Sequence, residues 1–255
     1  MMKTLFITLN FLWVGILSAQ DLIGAKWRIN NILGADINKE DFYILTPEWS
    51  YGKHLQLSTD GNFESWYSAP CGNDCFTTSY GTYKKISEEY ISFHIQKVER
   101  SGWCSDAGEV EKNETNTYYV YKKSESEIYL LKTTGNHSKD LQKATYAKVL
   151  ADNIRIIPKD NYSSFGNITL PSKLTCQQRA DNYTSQYLKL TNYELCVTGS
   201  KDFISVHLVK DLDKNAYYYI VERPLEEGYG LFHYTEDQVK ELFRDYYEKR
   251  YGKRK

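Results

Sequence analysis

Between residues 24 and 149, apolar side chains recur at every second position in short runs divided by turn residues. That two-residue period constrains the fold more than anything else in the chain. It specifies half-buried strands, and a series of short strands must close into a barrel or stack as a sandwich to hide its edges. The clearest run is 90–98, with Ile91, Phe93 and Ile95 on one face and Ser92, His94 and Gln96 on the other. In 26–33, Trp27, Ile29 and Leu33 share a face, and Leu55 and Leu57 repeat the pattern in 54–57. Asp60-Gly61 is a hairpin signal leading into 62–67. Runs at 78–86, 117–121, 127–131 and 144–149 complete eight expected strands, and no helical period is read before residue 150. The 23 Tyr and 15% aromatic content suit such sheets, and 41% hydrophobic residues supply a core.

Residues 1–19 are set apart as an export signal. Lys3 precedes an apolar run over 4–17, and Ser18 and Ala19 form a small-residue cleavage site before Gln20. The run is shorter than the roughly 20 residues a membrane span needs, and no second one follows. No Cys follows the cleavage site, which argues against a bacterial lipid anchor. The expected location is periplasmic or secreted. Five Asn-x-Ser/Thr triplets, at Asn113, Asn136, Asn161, Asn167 and Asn182, accept glycan in a eukaryotic route, but an Asn-, Lys-, Ile- and Tyr-rich chain generates them by chance. The bacterial reading is preferred.

Export gives Cys71, Cys75, Cys104, Cys176 and Cys196 an oxidising setting, so disulfides are expected before zinc; no His lies close to the Cys71/Cys75/Cys104 group in sequence. A hairpin turning near Glu88 brings Cys104 opposite Cys71 or Cys75. Cys176 is paired with Cys196, and one thiol is left over.

Gly24-Ala25-Lys26-Trp27, then Asp60-Gly61-Asn62-Phe63, Gly81-Thr82-Tyr83 and Tyr90-Ile91-Ser92-Phe93, resemble the secreted lipocalin-like barrels of bacteria over about half of the mature chain. The Gly-to-Trp gap is one residue longer than in that family, and its Thr-Asp-Tyr motif is absent. The resemblance implies an antiparallel up-and-down barrel over 20–149 holding an internal ligand.

Residues 150–255 read as a β-rich α+β region, with strands at 153–157, 186–196, 203–210 and 216–222 and a short helix at 172–184. Its end is an amphipathic helix: Thr235 caps it, Gln238 completes a capping box, and Val239, Leu242, Phe243 and Tyr246 form a stripe. The basic end, 249–255, suits a helix C-terminus. The run 91–97 echoes 204–210, which raises a shortened second copy of the barrel.

The chain is therefore mainly β, and its function is read as non-catalytic binding. The ligand is small and mostly apolar, held in a barrel lumen lined by Trp27, Leu55, Leu57, Phe63, Ile91, Phe93 and Ile95. Two alternatives stand beside this: a protein-interaction module with a filled core, and an enzyme with an unrecognised site. His94 and His207 sit on polar strand faces and are expected at the surface. No nucleophile, base and orienting group converge in sequence, so no catalytic, metal or cofactor residue is assigned. With 32 Lys and Arg against 33 Asp and Glu, the net charge of −1 gives no field that would gather nucleic acid.

Overall fold

The structure, a computed structural model, describes residues 22–35, 41–47, 50–158, 168–201 and 204–251. The segment expected to be an export signal, the triplets at Asn161 and Asn167 and the extreme basic end lie outside these residues.

Eight antiparallel strands close into a barrel: β1 (Lys26–Ile29), β2 (Phe42–Pro47), β3 (Gly52–Leu57), β4 (Asn62–Ser68), β5 (Cys75–Lys85), β6 (Tyr90–Gly102), β7 (Gly108–Ser124) and β8 (Glu127–Lys132). From β3 to β8 the strands follow one another up and down, as expected. Closure departs from that order, because β1 lies between β2 and β3 while β2 pairs with β8. The eighth strand is β2, which replaces the one expected at 144–149. Its Phe-Tyr-Ile-Leu sequence hides the two-residue period because both faces are covered: Tyr43 and Leu45 turn into the barrel, Phe42 and Ile44 away from it.

Residues 144–149 belong instead to helix α1 (His137–Ile154), which also takes in part of the strand expected at 153–157. The boundary drawn at 149 thus falls within a helix. The helical period is there to be read: Ala144, Ala147, Leu150, Ala151 and Ile154 form one buried stripe. Asn136 caps the helix by accepting from Lys139 N. Buried Asp140 in its first turn accepts from Thr133, Thr134 and Tyr90.

After α1, a second antiparallel sheet has the order β10-β11-β12-β13-β9, formed by β9 (Thr169–Leu170), β10 (Tyr193–Lys201), β11 (Ile204–Asp211), β12 (Ala216–Pro224) and β13 (Tyr229–Thr235). It is open, and helices cover both faces. Val206, Leu208, Tyr219 and Val221 pack with α1, whereas Val209, Ile220 and Leu231 pack with Tyr183 of α2 (Cys176–Gln186). The C-terminal helix α3 (Glu236–Tyr251) carries the expected capping box, with Thr235 N donating to Gln238 Oε1 at 2.8 Å and Gln238 N to Thr235 Oγ1 at 3.3 Å. Of its stripe only Val239 is buried; Phe243 and Tyr246 remain exposed.

Helix α1 is wedged between the two sheets. Phe42, Tyr119, Tyr129 and Leu131 on the outer barrel wall share one core with its buried stripe and the second sheet. The consecutive tyrosines of β7 divide accordingly, Tyr118 into the lumen and Tyr119 into this core. At the seam, Asp41 accepts from Thr198 N and from Lys143 Nζ, each at 2.8 Å, and so ties the start of β2 to β10 and α1.

Candidate functional site

The seven residues assigned to the lumen are brought together. Trp27, Leu55, Leu57, Phe63, Ile91, Phe93 and Ile95 are buried and belong to one cluster inside the barrel. Phe93 stands at its centre, edge-on to Phe63 at 5.2 Å and to Tyr118 at 5.8 Å. The chain itself enters from one side. Leu33, in the turn after β1, is fully buried; its N–H donates to Ser65 Oγ at 3.1 Å and its carbonyl accepts from Ser79 Oγ at 2.5 Å. Gly34 follows with φ +76°, and a Cβ there would lie 2.7 Å from Ile95 Cδ1. Trp27 Nε1 is buried without an acceptor among the described residues.

Outside the barrel, a cleft of about 740 Å³ runs between the outer faces of β1–β4, the end of α1 and Ser200 of β10. Alternation makes it: Trp27 and Ile29 point inward, so Arg28 and Asn30 point out. Arg28, Lys53 and Arg155 line it, and no carboxylate does among the described residues. Arg28 is exposed and makes no side-chain hydrogen bond or ion pair to the described residues. Lys53 Nζ donates to the Asn30 carbonyl at 3.2 Å and to Asn31 Oδ1 at 2.6 Å, both neutral acceptors. Arg155 pairs with Glu127 at 3.2 Å. Tyr51, 57% exposed, and Tyr67 supply rings beside Ile44 and Pro70. Tyr67 donates to Asp74 Oδ2 at 2.8 Å, a bond that raises its phenol pKa.

The cysteine expectations divide. Cys75 and Cys104 form a disulfide, one of the two pairings left open for Cys104. A bulge between Tyr80 and Gly81 shifts the β5–β6 register so that Cys75 faces Gly102, two residues from Cys104. Cys71, Cys176 and Cys196 are free, so the Cys176–Cys196 pairing is not made. The second sheet separates those two: Cys176 starts α2 on one face, and Cys196 packs with the α1 core on the other. His207 also differs from expectation. It is 2% exposed because α2 covers its strand face, and its Nε2 lies 3.7 Å from Cys176 Sγ.

Searches against protein families, curated proteins and solved structures match nothing to this chain. The class of protein is therefore defined by its architecture: a closed eight-stranded antiparallel barrel joined through one helix to a helix-covered sheet, compatible with a binding protein. The disulfide agrees with an oxidising compartment. Among the described residues, no helix is long and apolar enough to cross a membrane.

Proposed function

We propose that this is an exported, lipocalin-like binding protein whose barrel is a filled, non-catalytic scaffold, and that the outer cleft holds a small anionic organic ligand. The observation that carries this reading is Arg28, a guanidinium without a partner among the described residues, in a cleft bordered by Lys53 and Arg155 and lined by no carboxylate among the described residues. The volume of about 740 Å³ suits a drug-sized molecule. Arg28 favours a carboxylate, sulfonate or phosphate head, and Ile44, Pro70 and Tyr51 favour an apolar or ring body.

A second reading keeps the ligand in the lumen, small and mostly apolar but carrying one acceptor. The buried Trp27 N–H favours it, since an unsatisfied donor is costly and an incoming acceptor would relieve it. Against it stand Leu33 and Phe93, which occupy the interior that such a ligand needs.

One probe separates the readings. Anilinonaphthalene sulfonate, an anion with an aromatic body, should fluoresce on binding the parent protein. Arg28→Glu should weaken binding at least about tenfold, near 1.4 kcal/mol, and Phe93→Trp should leave it unchanged. The reverse pattern would move the ligand into the lumen, and indifference to both would remove the binding proposal.

A further inference from the structure

We propose that Cys176 and His207 form a nucleophilic thiol site of acyl-transfer type on the α2 face of the second sheet, independent of what the cleft binds. Three elements assemble it. Cys176 opens α2, His207 lies on β11 and Thr198 on β10, so the sheet register fixes the imidazole opposite the helix end. Cys176 Sγ stands 3.7 Å from His207 Nε2, and His207 Nδ1 stands 2.9 Å from Thr198 Oγ1. This is the nucleophile, base and orienting group that the linear sequence does not display.

The helix end adds the remaining part. Amides in a first turn have no intrahelical acceptor. That of Gln178 is taken by Thr175 Oγ1, and those of Cys176 and Gln177 have no acceptor among the described residues. Two amides beside the sulfur suit the oxygen of a tetrahedral intermediate. Cys176 is partly exposed and Gln177 exposed, whereas His207 is buried.

The charged groups around the imidazole favour its cation. Burial works against the His207 cation, but the Cys176 sulfur and the Glu222 carboxylate outweigh it and hold the pKa up at about 10. Glu222 Oε2 stays 3.7 Å from Nε2, because Arg179 grips both carboxylate oxygens at 2.8 and 2.6 Å. Asp41 lies behind Thr198. Cys176, His207 and Glu222 also lie close enough to share a metal ion. A cation there would adjoin the Arg179 guanidinium, whose grip engages the carboxylate that would have to ligate it.

The chemistry balances without a cofactor. The thiolate adds to the carbonyl carbon of an ester or amide, forming the C–S bond as the carbonyl π pair moves to oxygen. Collapse breaks the bond to the alcohol or amine, which takes the proton of His207 Nε2. Water then adds to the thioester and gives a proton back to His207, and C–S cleavage returns the thiolate and releases the acid.

Iodoacetamide alkylation of the full chain tests this, with Cys176 and exposed Cys71 followed separately by peptide mass spectrometry from pH 5 to 9. Cys176 should react at least about tenfold faster than Cys71 at pH 6. In His207→Asn it should fall to the profile of Cys71, whose own rate is unchanged. Because the His207 variant could unfold, Cys176→Ala is the second arm: p-nitrophenyl acetate should give a burst of about one equivalent of nitrophenolate with the parent and none with Cys176→Ala. Equal profiles for the two thiols, no burst, or micromolar zinc shielding Cys176 through His207 would each overturn the proposal.

Discussion

A carboxylate and a guanidinium dominate the interior of the second sheet. The side chains of Arg179 and Glu222 are 3% and 1% exposed, so each is tolerable only because the other is present. Arg179→Met should cost about 3–5 kcal/mol in urea denaturation, since it strands a buried charge. The same cluster sets a pH dependence. Burial pushes Glu222 upward, but the Arg179 hydrogen bonds outweigh it and lower the pKa below 4.5; its stabilisation holds above pH 4.5 and is lost as pH falls through the folded value. His207 has the opposite sign: its contribution is complete below pH 6.5 and drains away as pH rises through about 10. The stability gap between the parent and His207→Asn should therefore shrink from pH 6.5 to 10, and a constant gap would contradict a charged His207. None of this is legible along the chain. Ser205 and His207 alternate with Val206 and Leu208 exactly as a solvent-facing row would, and only α2 packing over that row makes it interior.

Strands are legible where one face is wet and obscure where both are dry. That is why β6 can be read from its alternation and β2, with apolar residues on both faces, cannot. Small residues placed inward carry a second message that the period alone hides: Ser65 and Ser79 make room for Leu33. Gly81 does the same for the β5–β6 bulge, where a Cβ would lie 2.0 Å from the His94 carbonyl oxygen and 2.8 Å from Phe63. The backbone oxygen cannot swing aside as a side chain can, so Gly81→Ala should cost about 1–3 kcal/mol and lower the melting temperature. At the far end of the same hairpin, the Cys75–Cys104 bond closes a separation of 29 residues. Replacing both cysteines by Ser should remove about 3–4 kcal/mol in chemical denaturation, the loop-closure value for that length. An unchanged midpoint would mean that the hairpin is held by its pairing alone.

For the molecule as a whole, the wedge of α1 matters more than either sheet. The barrel wall at Phe42, Tyr119, Tyr129 and Leu131 has no solvent-facing design, because α1 and the second sheet cover it. A chain cut after residue 135 should expose this wall and aggregate, whereas the intact chain should melt in one calorimetric transition. Two separate transitions would show that the halves do not share a core. The lipocalin-like motifs reach only one side of this arrangement, and the helix that joins the sides is written in the spacing of small residues, Ala144, Ala147 and Ala151. Strand β10 draws the sides closer still. Asp41 binds the amide of Thr198, Thr198 holds His207, and Ser200, two residues on, borders the cleft. Cleft and imidazole thus border one strand, and thermodynamic reciprocity governs any coupling between them: an occupant of the cleft that changes the proton affinity of His207 must itself bind more or less tightly by the same factor when His207 is protonated. The pH dependence of cleft binding would then read the protonation of a ring buried in the neighbouring sheet.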